Sequence, residues 1–486
     1  MTLLRSLLAV LITVTASAFL SCSLAPPYQR PAAPTPPYLG PEGEAQSQVT
    51  LPTWRDFLPE DRLKALVEKA LEENRDLKLA TLRIREALAE YGVTGSERFP
   101  MLEVSGSQTV SGGGGGRRTT EDYEAGLMLP SFELDFFGRI NSMTEAAREN
   151  YLATQAAARY ARLALLTSVC GAYLDARLAQ ERFGLTQRSL ESWRSSMAFI
   201  EERIISGQAQ LLDLEQARAM VAFAEASLAL QRVEIAKAQN ALKLVLGDFK
   251  ELTLPSPVPL ANWPQVTLPE NLPSESLLTR PDILEAEHKL LARNADIGAA
   301  RAAFFPKISL TGALGFMSMR LASLFDPGSD QWSFSPVVTI PIFSGGRNRA
   351  NLELSEIRRE MAIVEYEMTI QSAFREVAEG LEVRKLISQR LEAQRKYLSA
   401  QRRVLDLAAN RYQSGVVSYL EVLAAQREVF DAEMTLLEIK REEIFNDLSL
   451  YTALGGGFPS DPEENLASPV ATPLANQAPN KAAPNN

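Results

Sequence analysis

The chain has 486 residues, of which 46% are hydrophobic and 23% are charged, so it can bury a core and is not a disordered polypeptide. Its formal net charge of -10, from 50 basic and 60 acidic residues, argues against nucleic acid as a partner, because phosphate backbones need clustered positive charge. Beyond the N-terminal region no run of 18 or more apolar residues occurs, so no transmembrane helix is predicted in the mature chain.

The chain opens with a predicted signal peptide over residues 1–21. Arg5 gives a short positive region, an apolar segment runs from Leu7 to Val14, and small residues precede Cys22. A cysteine at this point predicts acylation of its thiol, for example with palmitate, although Phe19-Leu20 fits such a motif imperfectly. The alternative is a plain signal peptide with an incidental cysteine.

Three further predictions concern the tether, the tail and the second cysteine. Residues 22–60 are rich in proline and lack periodicity, which predicts a lipidated, extended tether lying over another part of the protein. Residues 456–486 are rich in Gly, Pro, Ala and Asn and are predicted to be a disordered tail. Cys170 falls within a helical pattern and is predicted to be a buried small apolar residue, outside any disulfide.

Two copies of one pattern follow each other along the chain. Equivalent positions lie 206 residues apart at the first pair below and 208 apart at the others, which indicates a small insertion or deletion. The pairs are Phe99-Pro100 with Phe305-Pro306, Gly138-Arg139 with Gly346-Arg347, Gly207 with Gly415, and Leu246-Gly247 with Leu454-Gly455. Copies of this length exceed a solenoid unit, so a duplication is predicted, with repeats at 61–254 and 275–455 and a linker at 255–274.

Each copy begins with a predicted helix, from Arg62 to Arg98 and from Glu275 to Phe304, that ends before a proline. Two stretches with strand character follow in each copy. The predicted strands cover residues 101–110, 125–136, 308–316 and 332–340. The third strand alternates apolar with small or polar residues most clearly, whereas the first two alternate poorly.

A very long helix without proline comes next in each copy, over residues 138–206 and 346–414. At 1.5 Å per residue each would be about 100 Å long. Gly207 and Gly415 are predicted to end these helices, and a second helix then returns to Leu246 or Leu454. The predicted fold class is therefore mainly α with a small β contribution: tandem-duplicated long α-hairpins plus four strands per chain.

Strands of about ten residues suit tilted crossings of a bilayer. Four strands cannot close a barrel, and unpaired strand edges are not tolerated in lipid. Several chains are therefore expected to share their strands, and the long helices would extend from the shared barrel as a tube. More than one chain is therefore predicted, and the number of chains stays open.

Three segments carry a resemblance to a known family. They are CSLAPPYQRP after the signal peptide, RPDILEAEHKLLARNADIGAARAAFFPKISLTGALG at 280–315, and IPIFSGGRNRANL at 340–352, matched in the first copy by LPSFELDFFGRINS. With the duplication, they span nearly the whole mature chain. The chain resembles the TolC-like outer-membrane efflux family, in particular its lipoprotein branch of OprM- and NodT-type factors.

This resemblance implies a homotrimer with a shared twelve-stranded barrel and a trimeric helical tunnel, lipid-anchored in the cell outer membrane. It also implies two protein partners, a periplasmic adaptor (membrane fusion) protein and an inner-membrane pump, commonly of the resistance-nodulation-division type. The implied function is passive conduction of small molecules, such as drugs and toxic compounds, out of the cell.

The resemblance also places a gate at the periplasmic tip, formed by the helical turns at Gly207 and Gly415. The family's gate uses a tyrosine and a basic residue near the second turn, bonded to an aspartate after the first. Tyr412 and Asp213 match the tyrosine and the aspartate, whereas Val417 stands at the basic position. Glu421 matches one acidic ring of the constriction, and Ala424 stands where a second acidic residue is often found. The alternative is that these are ordinary solvated or packed residues beside a turn.

No catalytic or metal site is predicted, and no cofactor other than the covalent lipid on Cys22. The Gly112–Gly116 run lacks a following Lys-Ser/Thr, so it is predicted to be a flexible surface loop. His288 is the only histidine, which excludes a multi-histidine metal site, and is predicted to be exposed or half-exposed. Without a convergent nucleophile, acid–base pair or metal cluster, the chain is not expected to be an enzyme.

Three alternatives to an efflux channel remain open at this point. One is the exit duct of a type I protein-secretion or heavy-metal export system, although the 11 methionines form no cluster that would favour metal export. Another is a structural coiled-coil lipoprotein, which the alternating strands at 307–342 oppose. The third is a lipid-anchored enzyme.

Overall fold

The structure is a computed structural model that describes residues 23–36, 38–39, 51–112, 120–249, 259–264 and 272–456. Four predictions fall wholly or mostly outside these residues. They are the signal peptide, the lipidation of Cys22, the disordered tail beyond residue 456, and the flexible loop at Gly112–Gly116, of which only Gly112 is described.

Each copy folds into helices, a strand pair and a long helical hairpin. The first copy contains α1 (Asp61–Glu73), α2 (Arg75–Ser96), β1 (Glu103–Ser111), β2 (Thr120–Leu134), α3 (Arg139–Ile205) and α4 (Leu211–Leu246). The second contains α5 (Pro281–Ala302), β3 (Lys307–Ser318), β4 (Asp330–Thr339), α6 (Arg347–Gln413) and α7 (Tyr419–Ala453). Within the described residues, no helix combines the length and the apolar character needed to cross a membrane.

The predicted duplication and fold class are confirmed by the matching elements. Helices α3 and α6 each contain 67 residues and begin and end at equivalent positions. Glycines with a positive φ flank the hairpins in both copies, because the backbone there adopts the left-handed conformation that glycine tolerates best. They are Gly138 and Gly346 before the long helices, Gly207 and Gly415 at the turns, and Gly247 and Gly455 after the return helices.

The first helix of each copy differs from the prediction. A single helix from Arg62 to Arg98 is wrong, because Asn74 divides it into α1 and α2. The Asn74 side chain accepts a hydrogen bond from the Leu77 amide at 2.9 Å and donates to the Val245 carbonyl at 2.8 Å, so it caps α2 and ties it to α4. In the second copy a 3₁₀ turn at Ser274–Thr279 precedes α5, which starts at Pro281.

Part of the predicted tether and linker is folded. A helical turn at Trp54–Phe57 buries both of its aromatic residues in the core, so an extended tether reaching residue 60 is wrong there. In the linker, Leu260 is also buried, and its amide donates to Glu181 Oε1 at 2.6 Å. Both segments therefore pack against α3 and the helix ends around it.

Two hydrophobic clusters hold the helices together. The larger joins α1, the middle of α3, the ends of α4 and α7, and α6, and includes Trp54, Val169, Cys170, Tyr366 and Tyr451. The smaller lies towards the hairpin turns and includes Trp193, Ile200, Met220, Tyr419 and Phe430. The second cluster fixes the positions of the two turns relative to each other.

The four long strands form one antiparallel sheet in the order β1-β2-β3-β4. At the centre of the sheet, Gly126 of β2 lies opposite Gly315 of β3. A Cβ atom at Gly315 would lie 2.3 Å from the Ala125 carbonyl oxygen, so both positions require glycine for this close approach of the backbones.

Candidate functional site

The two hairpin turns have the same geometry. Gly207 has φ 72°, and its amide donates to the Ile204 carbonyl at 2.9 Å. Gly415 has φ 73°, and its amide donates to the Tyr412 carbonyl at the same distance. Each turn thus ends a 67-residue helix through a left-handed glycine. The structure places the predicted tip residues at the far ends of both hairpins.

Tyr412 and Asp213 are brought together across the two hairpins. The Tyr412 hydroxyl donates to Asp213 Oδ2 over 3.4 Å. The same oxygen accepts a hydrogen bond from the Gln210 amide at 3.3 Å, because Asp213 is the third residue of α4 and caps its N-terminus. Asp213 therefore links the stability of the first turn to the position of the second.

A basic residue is present beside Tyr412, although Val417 carries no charge. The Arg203 guanidinium lies 5.2 Å from the centre of the Tyr412 ring, and its Nη1 donates to the Tyr412 carbonyl at 3.5 Å. Arg203 comes from the end of α3, whereas the family's basic residue was expected near the second turn. Arg203 is not among the predicted gate residues, but the duplication contains a signal for it, since Arg411 is its equivalent in the second copy.

A second tyrosine completes this group. The rings of Tyr412 and Tyr419 are 5.3 Å apart, and Tyr419 is buried at the start of α7. Burial, followed by the charge of Asp213, raises the pKa of Tyr412, while Arg203 opposes the increase. Burial raises the pKa of Tyr419 to about 12. Both hydroxyls are therefore protonated at neutral pH, and Tyr412 can donate to Asp213.

Glu421 lies apart from this group. Its side chain is exposed in the first turn of α7, where a negative charge is favourable at the positive end of the helix dipole. Among the described residues, no hydrogen bond or ion pair joins the Glu421 side chain to Tyr412, Asp213 or Val417. Val417 itself is half-buried in the turn before α7.

Exposed apolar side chains surround the two turns. They are Ile205, Leu211 and Leu212 at the first turn and Val416 and Leu420 at the second. Single exposed apolar residues are common, but a contiguous group on a protein surface marks an interaction site. The tip thus presents an apolar surface around the Tyr412–Asp213 contact.

The strand register sorts the sheet into an apolar and a polar face, because directly paired residues project from the same side. One row across the four strands is Val104, Leu127, Leu314 and Trp332. The next row is Ser105, Gly126, Gly315 and Gln331. All four residues of the apolar row are exposed in the single chain.

The sheet is open at both sides. Within the described residues β1 pairs only with β2, and β4 pairs only with β3, so their outer edges leave backbone amides and carbonyls without strand partners. Next to the sheet, the packing of the helices follows the same order: α2 packs on α3, α3 on α5, and α5 on α6. The strands and the helices therefore form a row with two free ends.

The segment that follows Cys22 is fixed to the second copy. Residues 23–36 lie along α5, where Asn294 Nδ2 donates to the Pro26 carbonyl at 2.8 Å. Arg30 donates to both carboxylate oxygens of Glu287, at 2.7 and 2.5 Å. This segment, here called the strap, holds residue 23 near the end of α5 that leads into β3.

His288 and Cys170, the two other residues considered in the sequence, have structural roles. His288 is half-buried, as predicted, and its Nδ1 lies 2.6 Å from Oε2 of the buried Glu149. Cys170 is fully buried, as predicted, and burial raises the pKa of its thiol to about 12. Among the described residues, no three His, Cys, Asp or Glu side chains are grouped so that they could hold a metal ion.

Comparison with known proteins identifies similar chains over almost the full length. The sequence pattern of a family described as "Outer membrane efflux protein" matches residues 66–248 and, a second time, 272–456. The cation efflux system protein CusC of Escherichia coli (strain K12) is 44% identical over 447 residues, which cover 91% of this chain and 98% of CusC. A crystal structure of CusC matches with a TM-score of 0.84 and 44% identity, covering 90% of this chain and 100% of that chain.

Two further relatives have a similar sequence identity to this chain and carry different names. SilC of Salmonella typhimurium, a probable outer membrane lipoprotein, is 42% identical, covering 90% of this chain and 95% of SilC. SrpC of Pseudomonas putida, a solvent efflux pump outer membrane protein, is also 42% identical, covering 90% of this chain and 96% of SrpC.

Proposed function

The chain belongs to the outer membrane efflux protein family, and on this premise we propose that three copies of it form the exit channel of a tripartite efflux system in the cell outer membrane. One observation carries the proposal: the four-stranded sheet has an apolar face and two unpaired edges. In lipid, backbone groups must find partners within protein, so such a sheet is stable only when it closes with other sheets. Three copies would close it into a barrel of twelve strands.

The polar row of the sheet supports a water-filled interior. In a closed barrel the apolar row of Val104, Leu127, Leu314 and Trp332 would face lipid. The alternate row, which begins with Ser105 and ends with Gln331, would then face the lumen. Helices α3 and α6 would continue the lumen as a tunnel of about 100 Å. The channel would conduct small molecules passively, and no residue in this account acts as a catalyst.

The tip is the proposed docking end for a periplasmic adaptor and, through it, an inner-membrane pump. Its apolar side chains, including Leu212 and Val416, are exposed in the single chain and have the chemistry of a helix-tip partner surface. Tyr412 and Asp213 form the proposed gate, since their contact restrains the two hairpins against each other. Glu421 would add one negative charge per chain near the bore and favour cations there.

The lipid anchor is proposed on Cys22. The strap supports it, because Arg301, at the helix end that leads into β3, donates to the carbonyl of Leu24 at 3.2 Å, two residues after Cys22. An acyl chain on Cys22 would therefore start beside the sheet. A single acyl chain gives only weak membrane binding, so it would assist the barrel and not replace it.

Cation export is a second candidate for the transported substrate, favoured by the similarity to CusC, a cation efflux system protein. SrpC, a solvent efflux protein, is almost equally similar. Relatives of the same degree thus serve chemically different substrates, which supports a channel whose own sequence does not select among them. The pump of the assembly would make that selection.

Single-channel recording in planar bilayers tests the proposal. The purified protein is expected to give discrete conductance steps that persist with Ser333→Lys, because this residue would face the lumen. Phe334→Lys, on the apolar face and in the middle of β4, should strongly reduce insertion, since a lysine that faces lipid near the bilayer centre costs about 2–4 kcal/mol. Absence of steps from the wild-type protein, or equal activity of the two variants, would contradict a lipid-facing role for the apolar row.

A further inference from the structure

The loop between β3 and β4 folds back over one face of the sheet. It covers residues 319–329 and contains a 3₁₀ turn at Leu321–Ser323. The hydroxyl of Ser323 lies 2.7 Å from the hydroxyl of Ser318, the last residue of β3. Further along the loop, the ring of Phe325 packs edge-on against the ring of Phe316, with 5.3 Å between the ring centres. Both contacts fasten the loop to even-numbered residues of β3.

The even-numbered residues of β3 are on the apolar face of the sheet. Leu314 belongs to the apolar row, and Phe316 and Ser318 follow it at the spacing of two that keeps side chains on one side of a strand. The loop therefore lies on the apolar face. In a closed barrel it would be outside the lumen and would not cover the mouth of the channel.

The apolar face becomes more polar towards this loop. Beyond the apolar row, the next two rows on the same face are Gly106, Ala125, Phe316 and Asp330, and then Gln108, Tyr123 and Ser318. Asp330 is exposed and brings a carboxylate into the first of these rows. A charge is costly in hydrocarbon, so the boundary between acyl chains and headgroups of a surrounding bilayer would fall near the row of Phe316. Aromatic side chains are enriched at this depth in membrane proteins.

The loop adds large apolar side chains at this boundary. Leu321 is 65% exposed and Phe325 is 71% exposed, and Trp332 of the neighbouring apolar row is 75% exposed. The ends of the loop are joined by a hydrogen bond, in which the Met317 amide donates to the Ser329 carbonyl at 2.8 Å. A contiguous exposed apolar group marks an interaction site, and here the group continues the apolar face of the sheet.

We propose that the β3–β4 loop anchors the barrel in the interfacial layer of the outer leaflet, where Leu321 and Phe325 insert among the lipid acyl chains next to the headgroups. This inference rests on the proposed function, which makes the apolar face the lipid-facing surface and places the strand ends far from the helices at the outside of the cell. Lipid is the partner because Phe325 is packed on a residue of that same face. Three copies would place three such loops around the barrel and fix its depth in the bilayer.

Spin labels on single introduced cysteines test this placement. The full-length Phe325→Cys protein is labelled with a nitroxide and reconstituted into vesicles of phosphatidylethanolamine and phosphatidylglycerol. Oxygen concentrates in hydrocarbon and a nickel chelate stays in water, so collisions of the nitroxide with each reagent report its surroundings. Collisions of the label at 325 with oxygen should exceed those with the nickel chelate severalfold. Cys170 is buried, and wild-type protein treated with the label is the blank for Cys22.

Two matched variants in β4 provide the reference values. Trp332→Cys is on the apolar face and should resemble Phe325→Cys, whereas Gln331→Cys belongs to the polar row and should collide more with the nickel chelate. A label at 325 that resembles the label at 331, or that neither reagent reaches because protein covers it, would overturn the loop anchor and leave the channel standing. Labels at 331 and 332 that do not differ would overturn the sorting of the two faces, on which the proposed function itself depends.

Discussion

The hydroxyl of Tyr412 lies 3.4 Å from Oδ2 of Asp213, and this contact joins the tip of the second hairpin to the tip of the first. Asp213 is at the same time the capping residue of α4. Removal of the Tyr412 hydroxyl therefore breaks this link between the hairpins and leaves the Asp213 cap of α4 in place.

Tyr412→Phe removes the hydroxyl and keeps the ring. A neutral donor to a carboxylate contributes about 1.5–3 kcal/mol at most, so the closed arrangement should weaken and single-channel conductance should rise. The control is Tyr397→Phe, because Tyr397 also donates to a carboxylate, Glu428, at 2.8 Å, but away from the tip. Equal effects of the two substitutions on conductance would show that Tyr412 is not part of the gate.

Val417→Arg restores the basic residue that the family's gate has near the second turn. A guanidinium there should form a charge-assisted bond at the tip, add about 1.5–3 kcal/mol to the closed state and lower the conductance. Val416→Arg, at the exposed neighbouring position, controls for the added charge and should have a smaller effect. Unchanged or higher conductance for Val417→Arg would count against the gate assignment.

The buried tyrosine of the tip predicts a loss of stability at alkaline pH. The folded-state pKa of Tyr419 is raised from 10.0 to about 12, so the folded protein holds the proton more tightly than the unfolded chain. The resulting stabilisation is fully present below pH 10 and is lost as the pH rises to about 12. Tyr419→Phe should remove the part of this alkaline loss of stability that comes from Tyr419. Thermal unfolding of both proteins between pH 9 and about 12 tests it, and parallel curves would contradict the prediction.

The contact between His288 and Glu149 predicts that loss of the His288 side chain destabilises the protein more than loss of the neighbouring Lys289 side chain. His288→Ala leaves the buried Glu149 carboxylate with fewer partners, and this should lower the free energy of unfolding by about 1–3 kcal/mol. Lys289→Ala removes an exposed pair with Glu285 and should cost less than about 0.5 kcal/mol. Unfolding monitored by circular dichroism measures the free energy of unfolding of both variants. Equal decreases would mean that His288 does not stabilise the Glu149 carboxylate.

Cys22→Ser tests the lipid anchor separately from the barrel. Intact-mass measurement should show acyl chains on the wild-type protein and none on the variant, while both should form trimers. If the wild-type mass equals that of the unmodified polypeptide, the predicted lipidation of Cys22 is wrong.

The long hairpins could be predicted closely from the sequence. Helices expected over 138–206 and 346–414 occur as Arg139–Ile205 and Arg347–Gln413, because proline is absent inside and glycine ends each helix. The helix break at Asn74 was not predicted, since its cause is partly the distant Val245 carbonyl that the side chain reaches. A hydrogen bond between residues far apart in the chain leaves no local pattern.

The poor alternation of β2 has a structural explanation. Its apolar face includes Leu127 and Leu129 before an irregularity in the register and Phe132 and Leu134 after it. The shift next to Pro130 moves the apolar positions from odd to even numbers, so a search for simple alternation fails across it. At the tip, Tyr412 and Asp213 could be aligned with the family, whereas the contact of Arg203 with Tyr412 depends on the end of α3 lying near the end of α6.

The claim that sister copies close the sheet is tested most directly by the native mass of the detergent-extracted protein. We expect a particle that contains three chains, because the free edges of β1 and β4 pair between copies. A stable particle that contains one folded chain, with β1 to β4 present and the apolar row covered by other parts of that chain, would contradict it.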